Sequence, residues 1–215
     1  MIMISAQFLF AIFFITTVSL HIGKKIFGAA MAYSVQSFVI VLLIAGSFVQ
    51  TGSIPLLFVA LLVLVTKVIL APILITRAMK KSRLKFLMNT YINIPITLVI
   101  IAVITAVAHS SLFAPLVSII PANKELLSLS LSTILISFFL IVNHKGAISQ
   151  IIGVLSLENS IVAFVFFAGL EQSLSLQIGI MFDIVIWIII ATVFASMIYR
   201  HFGSLDVTEM EHLKD

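Results

Sequence analysis

Two carboxylates sit near the middle of long apolar runs, Glu158 in GVLSLENSIVAFVFF and Asp183 in GIMFDIVIWIII. A charge at the depth of a bilayer centre costs from about 2.5 to more than 10 kcal/mol depending on the reference state, so such residues face a bundle interior or an aqueous path. Burial raises the pKa of a lone carboxylate toward neutrality and a nearby ammonium lowers it again, so the two together can gate uptake and release of a proton. The candidate ammonium is Lys67, in LLFVALLVLVTKVILAPIL, with Pro72 five residues on. A proline there removes the bond to the carbonyl of Val68 and frees an oxygen close to the lysine. Lys67, Glu158 and Asp183 form the candidate ion-translocating set.

Counting helical rises places the three at increasing depth. Lys67 lies about 14 Å, Glu158 about 17 Å and Asp183 about 26 Å from one and the same membrane face, at 1.5 Å per residue. Around Glu158 the residues Gly153, Ser156, Asn159 and Ser160 leave room for close helix approach or water; Gly179 and Trp187, four residues either side of Asp183, share its face. The expectation is that Lys67 lies within a few water molecules of Glu158.

The elements that hold these residues follow from composition. With 62% hydrophobic and 9% charged residues and a mean hydropathy of +1.30, the chain is not a soluble domain, in which about a quarter of residues are charged. Segments of about 20 apolar residues span a bilayer, and seven qualify, near 1–20, 27–49, 54–76, 91–113, 125–142, 147–170 and 173–200. Short connections carrying Gly52, Pro55, Pro115, Pro121, Gly146 and Gly169 make consecutive helices antiparallel neighbours. The predicted fold is therefore all-α: a polytopic membrane protein of seven transmembrane helices in an antiparallel bundle. Its opening, MIMISAQFLF, lacks a basic n-region and a cleavage site, so the first run reads as a retained span.

Of the twelve Lys and Arg, ten fall on one side (Lys24, Lys25, Arg77, Lys80, Lys81, Arg83, Lys85, Lys145, Arg200 and Lys214), while Lys124 lies on the other and Lys67 within a span. This bias puts the N-terminus outside and the C-terminus in the cytoplasm. The basic loop 77–85 rests on lipid headgroups; nucleic-acid binding is not indicated. No cysteine is present and the five His sit at separate helix ends, which leaves no thiolate, iron–sulfur or metal-ligand spacing and no cofactor. His21, His144 and His201 are expected at cytoplasmic helix ends and His109 at the outer end of the fourth span, each in the headgroup region. Gln7, Gln36, Asn93 and Gln150 read as helix-joining hydrogen-bond formers. The first four spans hold no acid and Lys67 as their one deep charge, so residues 1–120 read as an added four-helix unit and 121–215 as a three-helix unit with a short tail.

The second unit carries a resemblance. A basic turn, here NHKG (Asn143 to Gly146), followed by G-x-L-S-L-E-N, a second mid-membrane acid and the tail SLDVTEMEHL resembles the three-helix K subunit of respiratory complex I. The whole chain resembles component E of hydrogenase-4, which adds N-terminal spans, carries TKVILAP (Thr66 to Pro72) and has G-I-x-x-D where the K subunit has Glu. The resemblance implies a non-catalytic subunit of the inner membrane of a bacterial cell, contributing Glu158, Asp183 and Lys67 to redox-coupled proton or sodium translocation, with Asn159, Ser156, His144 and Lys145 in support. It implies as partners antiporter-like membrane subunits, a membrane-arm anchor subunit and a soluble nickel–iron hydrogenase-like arm. The C subunit of multisubunit sodium/proton antiporters shares the three-helix pattern without both acids.

Other readings stay open. The chain can be a scaffold whose buried ion pairs fix helix register, or a subunit of an antiporter-like complex. A self-contained transporter is disfavoured because no inverted repeat or pair of broken helices is visible. A retinal pigment would carry its lysine among aromatics on the last helix, whereas Lys67 is on the third span and the chain has one Trp. Cysteine-accessibility mapping is expected to place the 77–85 loop on the cytoplasmic side; labelling of that loop from outside would reverse the topology.

Overall fold

The computed structural model describes residues 2–81, 88–117 and 123–169, which are helical apart from short connections. Asp183, the expected span 173–200, the tail and loop residues Arg83 and Lys85 lie outside the described residues. Helix α1 (Ile2–Ile22) is joined by three residues to α2 (Ile26–Thr51), which ends on the left-handed Gly52, whose N–H returns to the Phe48 carbonyl at 2.8 Å. A continuous rod follows: α3 (Ile54–Val63), opened by Pro55 in its first turn, a π-helical segment (Leu64–Leu70) and α4 (Ala71–Lys81). Asn93 caps α5 (Ile94–Ala108) by accepting from the Ile96 N–H at 3.2 Å. A 3₁₀ turn (Ser111–Phe113) and the short α6 (Ala114–Val117) lead on to α7 (Lys124–Asn143) and α8 (Ala147–Phe167).

Among the described residues four stretches are long and apolar enough to cross a membrane: Ile26–Thr51, Ile54–Arg77, Lys124–Asn143 and Ala147–Phe167. Ala6–Ile22 and Ile94–Ala108 are shorter apolar helices. The segment expected over 91–113 is α-helical only over α5, about 22 Å at 1.5 Å per residue, because Pro95 sets its start and the chain turns at His109 and Ser110 before the 3₁₀ turn. Large apolar side chains such as Phe8, Phe27, Phe58 and Phe138 stand more than half exposed, while Ser, Thr, Asn and Gln are buried between helices. That inverted surface suits a lipid solvent, in which helices associate through close packing and polar contacts.

Packing is most extensive between α7 and α8, and α2 lies against α1, α3, the π segment and α8. α1 and α5 also pack on α7, so helices from both halves of the chain share one bundle. At one end the connections are knitted together. Met88 donates its N–H to the Lys24 carbonyl, Lys145 to Asn89 and Tyr91 to Asn143, at 2.8–3.0 Å, and Thr90 pairs with His144 as an antiparallel bridge. This end holds Lys24, Lys25 and Lys145 and is called the basic end below.

The α7–α8 contact is tight at Gly153. A Cβ there would stand 2.8 Å from Ile141 Cγ1 and 3.2–3.3 Å from the Ile141 backbone. Gly153→Ala is therefore expected to force the helices apart and lower stability by about 1–3 kcal/mol, read as a lower unfolding midpoint of the purified protein. Ile141→Ala should recover only part of the loss, because the backbone clash remains.

Candidate functional site

Lys67 is brought to the bundle interior by the shape of its own helix. Val59, Val63, Lys67, Ala71 and Ile75 are all buried at intervals of four. On a regular α-helix such a stripe drifts about 40° per step. The wider π turns of Leu64–Leu70, closed by the Ala71 N–H on the Thr66 carbonyl, offset that drift and keep the lysine pointing inward. The lysine lies just before Pro72, which has no N–H to give to an α-helical ladder. The interruption of the α-helical ladder that Pro72 announces in the sequence is accompanied here by a π segment.

The Lys67 ammonium meets Glu158 Oε1 at 2.5 Å and donates to Asn159 Oδ1 at 3.0 Å. Lys67 is 1% and Glu158 21% exposed, and the two touch directly, inside the few water molecules' distance expected. Asn159 then spans to α2, its Nδ2 donating to Ser37 Oγ at 2.8 Å and Gln36 Oε1 at 3.3 Å. Gln36 Nε2 donates onward to Thr17 Oγ1 of α1 at 2.9 Å and Ser156 Oγ of α8 at 3.0 Å. Ser137 of α7 completes the chain, with Ser156 Oγ at 2.9 Å and Ser160 Oγ at 3.2 Å. α1, α2, the π segment, α7 and α8 are thus tied at one level by side-chain hydrogen bonds.

Of the expected supporting residues, Asn159 and Ser156 belong to this network, while His144 and Lys145 lie at the basic end. His144 is fully buried under the 88–92 segment and not in contact with headgroups; its Nδ1 faces the Leu140 carbonyl at 2.9 Å. Burial pushes its imidazole below the ordinary histidine pKa. His21 is also buried, its Nε2 on the Ile136 carbonyl at 3.1 Å, its ring stacked on Phe139 at 5.3 Å and 6.2 Å from the His144 ring. The Lys145 ammonium rests 5.0 Å over the Tyr91 ring. His109 is exposed and Gln7 faces outward. Gln36 is fully buried, Asn93 caps α5 and Gln150 donates to the His144 carbonyl at 2.9 Å. Among the described residues no group of three or more His, Cys, Asp or Glu is placed to hold a metal.

Sequence reasoning did not single out Thr17, Ser37, Ser137 or Tyr33. The signal was available in Thr17 and His21, four residues apart, and in Ser130, Thr133 and Ser137 at helical spacing along α7.

The family described as NADH-ubiquinone/plastoquinone oxidoreductase chain 4L matches residues 125–215, from the first turn of α7 through Glu158 and onward. This supports a relationship of the C-terminal part of the chain to the K-like subunits of complex I, membrane proteins of a multisubunit assembly. A curated protein of Mycobacterium tuberculosis, described as uncharacterized, is 25% identical over 162 residues, which cover 74% of this chain and 73% of that protein. No solved structure matches significantly.

Removing one partner of a buried ion pair leaves the other uncompensated, a loss of about 3–5 kcal/mol. Lys67→Met is expected to destabilise by that order, and the double variant Lys67→Met/Glu158→Leu to recover most of it. Unfolding midpoints of the single and double variants in one detergent check this.

Proposed function

We propose that the chain is a non-catalytic membrane subunit of a complex I-like assembly of the hydrogenase-4 type, in which the Lys67–Glu158 pair takes part in redox-coupled proton translocation. The observation that carries this reading is an ammonium and a carboxylate in contact inside an apolar bundle, on the segment that matches the chain 4L family. Protonation of Glu158 would turn an ion pair into an ammonium beside a neutral acid. The pair is then a charge whose state depends on one proton, which is what coupling to distant electron transfer requires.

Asp183 belongs to this reading as a second titrating acid on the following span. The partners would be antiporter-like membrane subunits, a membrane-arm anchor subunit and a soluble nickel–iron hydrogenase-like arm, in the inner membrane of a bacterial cell with the basic end in the cytoplasm. The transported ion is a proton in this reading, with sodium as the alternative cargo. The hydrogen-bonded network also favours a second reading, a scaffold in which the buried pair fixes how five helices align.

Glu158→Gln separates the two. The amide keeps the volume and accepts a hydrogen bond from Lys67, but does not titrate in the working range. Redox-driven proton uptake by vesicles holding the assembled complex is expected to be lost while electron transfer and assembly persist. Glu158→Asp should retain part of the uptake, and Asp183→Asn should be milder than Glu158→Gln. Wild-type coupling in Glu158→Gln would select the scaffold.

A further inference from the structure

Among the described residues, four buried side-chain polar atoms lack a hydrogen-bond partner: Nδ1 of His21, the hydroxyl of Tyr33, Nε2 of His144 and Oε2 of Glu158. A buried polar atom left unpaired is destabilising, and such atoms in native proteins call for a specific explanation. Those of His21, Tyr33 and His144 belong to the half of the bundle toward the basic end. The rings of His21 and His144 are 6.2 Å apart and tilted by 56°, within reach of one bridging water. α1 and α2 are antiparallel and joined at Thr17–Gln36, so Leu20 and Tyr33, each three residues nearer the basic end, lie at one height, with His21 next to Leu20. Tyr33 packs in the same cluster as Leu20 and Leu140, and the Leu140 carbonyl holds His144. Tyr33 stands one turn before Ser37 on α2, and Ser37 accepts from Asn159, the neighbour of Glu158.

The two histidines are set in opposite tautomers. A carbonyl only accepts, so His21 carries its proton on Nε2 toward Ile136 and His144 on Nδ1 toward Leu140. Each therefore presents a bare basic nitrogen to the interior. We propose that His144, His21 and Tyr33 form a proton-uptake route from the basic end of the bundle to Glu158, a proposal that rests on the reading of Glu158 as a proton carrier.

A proton from the aqueous side adds to His144 Nε2, leaves from that same nitrogen through water, and adds to His21 Nδ1. Neither ring has to flip or surrender the N–H held by its carbonyl. From His21 the proton passes through water to the Tyr33 oxygen as the hydroxyl gives its own proton to Glu158 Oε2. Each step moves one proton and returns the donor to its starting state; the net change is one proton from solution on the carboxylate. The opposite half of the described bundle is closed by apolar side chains, with Phe10 stacked on Phe13 at 5.1 Å and edge-on to Phe167 at 4.9 Å. Among the described residues that half offers no matching set of unpaired groups.

The test uses the assembled complex in vesicles, with proton uptake and electron transfer measured together. His21→Ala, His21→Phe and Tyr33→Phe are expected to slow uptake about tenfold or more. Added imidazole should restore it in His21→Ala, which leaves space for the ring, and not in His21→Phe. Wild-type uptake in His21→Phe and Tyr33→Phe would overturn the route. If Glu158→Gln abolishes uptake in the same preparation, the route alone has failed; if Glu158→Gln is also wild-type, the underlying reading has failed. A measurement on the unmutated chain does not depend on how the variants fold. ¹⁵N NMR of its histidines in lipid vesicles should show His21 protonated on Nε2 and His144 on Nδ1, and the reverse in either ring would overturn the proposal.

Discussion

An ammonium and a carboxylate held together out of water are the constraint from which the rest of this bundle follows. Each ion alone carries a desolvation cost of several kcal/mol in a protein interior, and their attraction offsets it only where further hydrogen bonds satisfy what the pair leaves over. Asn159 does this for Lys67, and it is itself held by Ser37 and Gln36. Gln36 is in turn held by Thr17 and Ser156. Shifting any one of these helices by a turn, about 5.4 Å, would separate bonded atoms in a medium that offers no replacement partner. The network therefore specifies helix register where hydrophobicity, equal on the lipid and protein sides, does not.

The same constraint explains what could be read from the sequence. Lys67 and Glu158 stand out because charges inside apolar runs are rare, and counting rises put them at comparable depth, so their proximity was foreseeable. Their direct contact was not, since it depends on the π segment that keeps Lys67 on the buried stripe. A proline signals that the α-helical ladder is interrupted; whether the chain answers with a kink or with a wider turn is decided by packing against α2. Ser37, Ser137 and Thr17 escaped notice because single hydroxyls are common in apolar helices and usually return to their own backbone, as Ser132 and Thr133 do here. The burial of His21 and His144 was hidden for another reason. Both lie at helix ends, where headgroup contact is the ordinary outcome; here His144 pairs with Thr90 and His21 packs on Ile136 and Phe139 of α7.

Distribution of polarity along the bundle bears on mechanism. The half toward the basic end packs Leu20, Tyr33, Ile75, Leu140 and Ile152 and holds His21 and His144; on the proposed reading, the unpaired atoms of Tyr33 and the two histidines give a proton places to stop. The other half packs Phe10, Phe13, Leu43, Val63, Leu127 and Phe167. Its buried serines, Ser130 and Ser132 among them, are bonded to backbone carbonyls of their own helix. A proton reaching Glu158 from the basic end meets no comparable set of groups beyond it in the described part of the chain. Glu158 is, however, a fifth exposed at the side of the bundle, whereas Lys67 is sealed. On the proposed reading, the continuation from Glu158 is sideways, toward Asp183 or a neighbouring subunit, and the chain works as one segment of a longer path. On that reading the chain does not short-circuit a gradient when it stands alone, because leak requires access to both faces. That property is useful in a subunit whose proton movements must wait on electron transfer elsewhere.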